Sequence, residues 1–143
     1  MRYDLQAGTP ADRGGESVRG TILVLDDEAA LWDVMAAMLA WGGYRAVFTA
    51  DGAEAVRLYR ESAAAGHPFA GVITDLTIPG GMGGEEVVRR LREIDPDVRA
   101  IITSGYTADP VLAHYAEYGF RGVLDKPFRL DELVRVLRRV TAA

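Results

Sequence analysis

Short apolar runs and amphipathic stretches alternate along the chain from Thr21 onward. Runs rich in Val, Ile and Leu are typical of buried parallel strands, and each is followed by a stretch with helical periodicity. Five such rounds predict an α/β fold with a parallel sheet. The strands are predicted at Ile22–Leu25, Arg45–Thr49, Gly71–Asp75, Ala100–Thr103 and Gly122–Leu124.

The predicted helices differ in the strength of their apolar periodicity. Strong periodicity runs from Leu31 to Leu39, from Val87 to Ile94 and from Leu130 to Val140. Weaker helices are predicted over Gly52–Ala65, after a capping Asp51, and over Asp109–Tyr118, where Asp109-Pro110 supplies a cap and a first-turn proline. This alternation suggests a doubly wound sheet, which binds ligands at the carboxyl ends of its strands.

Residues 1–20 lack this periodicity and carry several glycines and a proline. We interpret them as a flexible tail, a linker or sequence added for expression. The folded domain is therefore predicted over residues 21–141, and the length of 143 residues fits one domain. Because the last predicted helix ends close to Ala143, we expect no output domain within the chain.

Composition narrows the classes of protein that fit the pattern. Apolar residues make up 49% and charged residues 26%, as in globular domains, and no apolar run is long enough to cross a membrane. The chain has no cysteine and no apolar signal segment, so we expect a cytoplasmic location and no membrane contact. A net charge of −5 without a separate basic segment argues against nucleic-acid binding.

Chemically active side chains follow four of the five predicted strands. They are Asp26-Asp27-Glu28, Asp75, Thr103-Ser104-Gly105 and Asp125-Lys126-Pro127. One acidic residue in a strand-to-helix loop is most simply a helix cap. Several carboxylates at one edge of a sheet repel one another and usually require a cation, and an all-oxygen set suits Mg²⁺. A carboxylate can also act as a nucleophile and form an acyl phosphate, with a metal, a cation and a hydroxyl placed around the phosphoryl group.

This set of motifs resembles the response regulator receiver family over residues 21–140. The segment from Asp75 to Gly80 is similar to the family's phosphoacceptor loop, and Ser104 and Lys126 are 22 positions apart, as is usual there. The resemblance implies a flavodoxin-like doubly wound sheet of five parallel strands, in the order 2-1-3-4-5, with five helices. It also implies a domain that catalyses its own phosphorylation and dephosphorylation.

The resemblance assigns a role to each site residue. Asp75 would be the phosphoacceptor, and Asp26, Asp27, Asp75 and the backbone carbonyl of Thr77 would hold Mg²⁺. Lys126 would pair with the phosphoryl group, and the Lys126-Pro127 bond would be cis. Ser104 would bind the phosphoryl group, with Thr103 as the alternative hydroxyl; Ser104 is preferred for its spacing to Lys126 and because a small residue follows it.

Two features depart from the family pattern. Position 123 is Val123, where the family commonly has an aromatic residue that takes part in the switch. Phe120 and Tyr106 could replace it in space, but each is more simply explained by packing. The loop from Pro79 to Gly84 is longer and richer in glycine than usual, which predicts a mobile loop beside the acceptor. It lacks the Lys-Ser/Thr ending of a nucleotide-binding P-loop.

Other residues have simpler explanations. His67 and His114 are isolated, so we expect neither a metal site nor a phosphohistidine. Trp32 and Trp41 fit the first helix and its end, where core packing or a covered surface would explain them. The arginine-rich faces of the third and fifth helices are most simply solvated faces balanced by glutamates, although helix 5 could present a partner surface.

The resemblance also implies partners. A histidine kinase or a phosphotransfer domain would donate the phosphoryl group, and a downstream protein would read the face formed by helix 4, strand 5 and helix 5. The glycine-rich loop and the segment from Ser104 to Phe120 are most similar to the receivers of hybrid sensor histidine kinases, so the parent chain would be such a kinase. A stand-alone regulator is the alternative.

Three further classes of protein fit less well. An aspartyl-phosphate phosphatase-like enzyme would have a second Asp two residues after its nucleophile, where this chain has Thr77. A flavin-binding electron carrier would have a phosphate loop after the first strand, where Asp26-Asp27-Glu28 would repel phosphate. A degenerate receiver is disfavoured because every role in the acceptor site is filled.

Overall fold

The computed structural model describes residues 2–4, 19–105 and 109–142, and one sheet runs through all three ranges. With strands numbered in chain order, the described strands follow one another across the sheet as β1-β3-β2-β4-β5-β6. Strands β2 to β6 are parallel, which gives the predicted order 2-1-3-4-5 once β1 is set aside. Their bounds are β1 Arg2–Asp4, β2 Gly20–Leu25, β3 Tyr44–Thr49, β4 Gly71–Asp75, β5 Ala100–Ser104 and β6 Gly122–Asp125.

Strand β1 was not predicted from the sequence. It pairs antiparallel with β3 at the edge of the sheet, with Arg2 opposite Thr49 and Asp4 opposite Val47. It lies in the segment of residues 1–20 that was interpreted as a tail or linker, most of which falls outside the described residues. The domain boundary near residue 21 therefore stays a prediction.

Among the described residues, one α-helix follows each of the five parallel strands, as predicted. These helices are α1 Trp32–Trp41, α2 Gly52–Ala64, α3 Gly84–Ile94, α4 Pro110–Ala113 and α5 Leu130–Thr141. The two predicted caps are present, because the side chain of Asp51 accepts from the amide of Ala53 and that of Asp109 accepts from the amide of Val111. In the described part of the chain, no helix is long and apolar enough to cross a membrane.

The sheet separates two apolar layers. On one face, α1 and α5 pack against β-strand residues such as Ile22, Phe48 and Ile101. On the other face, α2 and α3 pack against residues such as Leu23 and Ile102. Because the central strands are covered on both faces, their apolar residues run continuously along the sequence.

The fourth helical segment differs from the prediction. The expected helix over Asp109–Tyr118 is one α-helical turn, α4, followed by a 3₁₀ turn at Tyr115–Tyr118. The backbone of His114 leaves the helical region between them, with φ −124° and ψ 38°, and Gly119 then ends the segment in a left-handed conformation. Phe120 is buried in the core, as predicted, whereas Tyr106 lies outside the described residues.

Candidate functional site

The carboxyl ends of the parallel strands bring the predicted site residues to one edge of the sheet. Asp26 directly follows β2, Asp75 is the last residue of β4, and Lys126 directly follows β6. The Lys126-Pro127 peptide bond is cis, as the resemblance implied. These residues are far apart in sequence and meet only because parallel strands end at the same edge.

Lys126 joins the two carboxylates at the centre of the site. Its Nζ lies 2.9 Å from Oδ2 of Asp26 and 3.1 Å from Oδ2 of Asp75. Charge-assisted contacts of this length are among the stronger hydrogen bonds in proteins. The Lys126 side chain is only 17% exposed, and it is the one lysine in a chain with 16 basic residues.

Asp26 is the most constrained member of the site. Its side chain is almost fully buried, and its Oδ1 accepts from the amide of Glu28 at 2.8 Å. Its backbone carbonyl accepts from Nε1 of Trp32 at 3.0 Å, and its backbone amide donates to the carbonyl of Thr49 at 3.0 Å. The position of this carboxylate is therefore fixed by β3 and by the start of α1.

Three carboxylates form a possible cation site. Asp26, Asp27 and Asp75 each offer an oxygen, and these oxygens lie within 4.8 Å of one another. Mg²⁺ takes oxygen ligands only, and it is usually bound through one or two carboxylates with water or phosphate completing its shell, so these residues would be suited to hold it. The all-oxygen donors fit Mg²⁺.

The protonation equilibria of the central pair respond to burial and to the neighbouring charges. Burial raises the pKa of Asp75, Asp26 and Asp27 raise it further, and Lys126 opposes this rise without cancelling it. Burial alone would lower the pKa of Lys126, but the hydrogen bonds and charges of Asp26 and Asp75 outweigh it, and the net pKa is raised. The lysine is thus held as a cation beside the Asp75 carboxylate.

Both candidate hydroxyls are buried at the end of β5. Ser104 is the last residue of the strand and is level with Asp125 of β6, whereas Thr103 is level with Asp75 of β4. The amide of Lys126 donates to the Ser104 carbonyl at 2.9 Å, which ties the two loops together. The choice between Ser104 and Thr103 stays a prediction, as does the role of the exposed Thr77.

The glycine-rich loop that follows β4 is packed at both ends. Ile78 is buried in the core and Met82 packs against it, while Gly80 adopts a left-handed backbone with φ +73°. At the start of α3, a Cβ on Gly84 would lie 2.5 Å from the carbonyl oxygen of Asp75, so only glycine allows this close approach. The mobility expected of this loop stays a prediction.

Glu28 is a site residue whose role was not predicted. Its Oε1 lies 3.7 Å from Nζ of Lys126, although its side chain is 59% exposed. Its position directly after Asp26-Asp27 indicated that it lies near the site. The spacing of residues in the sequence does not show whether an exposed side chain extends far enough to contact Lys126. His67 follows α2 and His114 follows α4; both are exposed, and His114 approaches Glu117 of the 3₁₀ turn that comes after it.

Comparisons with known proteins agree with this geometry. The model of the response regulator receiver domain matches residues 22–138. A response regulator receiver protein of Anaeromyxobacter sp. (strain Fw109-5) is 31% identical over 78% of this chain, which spans only 44% of that protein. The receiver protein CpdR of Brucella abortus is 30% identical over 85% of this chain and 97% of its own length.

Solved structures give the same result. The receiver domain of sensor histidine kinase PA1611 from Pseudomonas aeruginosa PAO1 superposes with a TM-score of 0.75 and 26% identity. The match covers 87% of this chain and 98% of that domain, whose structure has a magnesium ion coordinated in the active-site cleft.

Proposed function

The chain belongs to the response regulator receiver family of two-component signalling, and from this premise we propose that Asp75 accepts a phosphoryl group in a Mg²⁺-dependent reaction. The donor is a histidine kinase or a phosphotransfer domain. The observation that carries the proposal is the contact of one half-buried lysine with both Asp26 and Asp75, at 2.9 and 3.1 Å. Asp27 completes a cluster that contains the proposed acceptor Asp75, carboxylates that could bind Mg²⁺, and the positive charge of Lys126.

The transfer follows from these positions. An oxygen of the Asp75 carboxylate attacks phosphorus, the bond between phosphorus and the donor's histidine nitrogen breaks, and that nitrogen keeps the electron pair. Lys126 is already a cation at the acceptor, so it can compensate charge on the phosphoryl oxygens without moving far. The hydroxyl of Ser104, with Thr103 as the alternative, donates to a phosphoryl oxygen.

Asp26, Asp27, Asp75 and the carbonyl of Thr77 would hold Mg²⁺. The ion supplies charge neutralisation that brings the phosphoryl oxygens next to carboxylates. Asp26 is prepared for this role because the Glu28 amide and Lys126 already orient its two oxygens. Asp27 is exposed and can turn towards an ion without breaking a packed structure.

Intact-mass spectrometry tests the assignment of Asp75. The chain is incubated with Mg²⁺ and acetyl phosphate, and we expect the mass to rise by one phosphoryl group. Asp75→Asn should abolish the increase, while Asp125→Asn, an exposed carboxylate at the end of β6, should preserve it. An undiminished increase in Asp75→Asn would refute the assignment.

A matched pair of variants distinguishes the roles of the Ser104 and Thr103 hydroxyls. We expect Ser104→Ala to slow phosphorylation by acetyl phosphate more than Thr103→Val does, with both chains folded by circular dichroism. The reverse order would transfer the role to Thr103.

We propose that phosphorylation changes the surface formed by α4, β6 and α5, where a downstream protein binds. Val123 is half-buried and packs in the same layer as Leu112 and Tyr115 of the α4 segment. Because α4 is a single α-helical turn, few hydrogen bonds hold it in place. Hydrogen exchange of peptides from this surface should change on phosphorylation, whereas α2 peptides should not.

We also propose that this domain belongs to a hybrid sensor histidine kinase and that it lies in the cytoplasm. The similarity to the PA1611 receiver supports a kinase origin. The match to nearly the whole of CpdR supports the alternative of a stand-alone regulator. Immunoblotting of the native polypeptide distinguishes them, since a hybrid kinase would be several times longer than 143 residues.

A further inference from the structure

Helix α1 is apolar on both of its faces. Asp33 is the one charged residue among its ten, and Trp32, Met35 and Leu39 point into the core. The opposite face still carries Val34 and Trp41, which are 58% and 68% exposed, and Leu31 just before the helix is 38% exposed. Among the described residues, these three are the exposed large hydrophobic side chains. A helix that is apolar all round is normally covered on both sides.

The exposed residues of α1 form a regular seam. Leu31, Val34, Met38 and Trp41 follow one another at spacings of three, four and three residues, which is the a/d pattern of helices that pair. Exposed Ala37 lies beside this seam and allows a second helix to approach closely. The seam continues into two grooves, one between Met38 and Phe128 and one between Trp41 and Val134 of α5.

The seam is complementary to itself. If two α1 helices pack antiparallel about a two-fold axis, Leu31 of one copy meets Trp41 of the other, and Val34 meets Met38. Both pairs combine a smaller side chain with a larger one, so the two surfaces interdigitate. A two-fold interface requires this kind of self-complementarity.

The charges around the seam match the same arrangement. The groove at Trp41 is lined by Arg135 and Arg138 and by the ion pair of Arg129 with Asp131, so its net charge is positive. The groove at Leu31 is lined by Glu28, which is 59% exposed, and by the ion pair of Asp26 with Lys126, so its net charge is negative. Antiparallel packing places the basic end of each copy against the acidic end of the other. Although each chain has a net charge of −5, the contact region is therefore attractive.

From these observations we infer that the exposed face of α1 binds a second copy of this chain, in an antiparallel two-fold dimer. Each copy buries the Leu31–Val34–Met38–Trp41 seam against the other. The contact involves one short helix of each copy, so the dimer is reversible and dissociates on dilution. Its formation does not require phosphorylation of Asp75, so it is tested separately from the proposed function.

Sedimentation equilibrium of the full chain measures this assembly directly. Over concentrations from about 1 to about 500 µM, we expect the mass to rise from the 15.5 kDa of one chain towards twice that value. Val34→Asp and Trp41→Ala should each weaken the dimer at least about tenfold, because both remove seam contacts from both copies. Ala63→Asp on exposed α2 is the matched control and should dimerise like the unmodified chain.

A charge exchange identifies the geometry and does not depend on how the apolar variants fold. Arg138→Glu should weaken the dimer, and adding Glu28→Arg to it should restore association by pairing the reversed charges. A mass of one chain at every concentration would overturn the proposal, and the exposed face of α1 would then be a surface for a different protein. A dimer that is unaffected by Trp41→Ala and by Arg138→Glu overturns it as well, because the contact then lies elsewhere.

Discussion

Replacing Asp75 with Asn is expected to stabilise the metal-free protein. The Asp75 carboxylate is largely buried beside Asp26 and Asp27, and its pKa is raised above 3.8, mainly by burial. A carboxyl group whose pKa is higher in the folded state binds its proton more tightly there. At neutral pH the ionised Asp75 therefore lowers the free energy of unfolding, and the neutral amide of Asn removes this effect.

Three influences on the ionised carboxylate set the size of the effect. Burial is the largest and opposes ionisation, Asp26 and Asp27, whose oxygens lie within 4.8 Å, oppose it as well, and the contact of Lys126 at 3.1 Å favours it. Each unit by which the folded pKa exceeds the unfolded pKa lowers the free energy of unfolding at neutral pH by about 1.4 kcal/mol. For each such unit we expect the Asn variant to gain roughly 3–5 °C in Tm.

The stabilisation should depend on pH with a definite sign. Below the unfolded pKa near 3.8, Asp75 is protonated in both states and the Asn variant gains nothing. As the pH rises through the raised folded pKa, the unmodified chain loses stability that the variant keeps. The gain therefore grows from acidic to neutral pH.

Thermal unfolding followed by circular dichroism in the presence of EDTA measures this gain. Asp125→Asn removes an exposed carboxylate at the same edge of the sheet and should leave Tm nearly unchanged. Adding Mg²⁺ should raise the Tm of the unmodified chain more than that of Asp75→Asn, because the ion relieves a repulsion that the variant lacks. A lower or unchanged Tm for metal-free Asp75→Asn would refute this account of the site.

Two further substitutions distinguish a residue proposed to bind Mg²⁺ from a residue that supports the backbone of the site. Asp27→Ala should weaken Mg²⁺ binding, measured by titration. The Tm without metal should stay the same or rise, because the substitution removes an exposed negative charge beside Asp26 and Asp75. Loss of folding would contradict this prediction. Gly84→Ala should lower the free energy of unfolding by about 1–3 kcal/mol and slow the phosphorylation of Asp75, because its Cβ would lie 2.5 Å from the carbonyl oxygen of Asp75. Gly81→Ala, whose Cβ would approach only Ile78 at 3.8 Å, is the control in the same thermal and mass assays.

The parallel strands were predictable because burial on both faces leaves an uninterrupted apolar run in the sequence. The predicted Gly71–Asp75 agrees with β4 at both ends, and the other strands differ by at most two residues at an end. Strand β1 could not be found in this way, because three residues at a sheet edge carry no periodic pattern. The end of α4 was missed because the apolar spacing continues through His114, whose backbone leaves the helix.

The site was predictable as far as it depends on strand ends. The meeting of Asp26, Asp75 and Lys126 follows from the topology alone, since each lies at the carboxyl end of a parallel strand. The contact of Glu28 with Lys126 and the hydrogen bond from Trp32 to Asp26 depend on side-chain reach and rotamer. Spacing in a sequence does not contain that information.

The two acids of the Asp26-Asp27 pair have different physical roles. Asp26 is buried and held by four hydrogen bonds, two at its carboxylate and two at its backbone, so changing it would disturb both the packing and the proposed metal site. Asp27 is exposed, so changing it alters the charge of the cluster with little effect on packing. Loss of activity on substituting Asp26 therefore cannot by itself identify a metal ligand. Asp27 gives the cleaner measurement, because its contribution to the site is separable from its contribution to the fold.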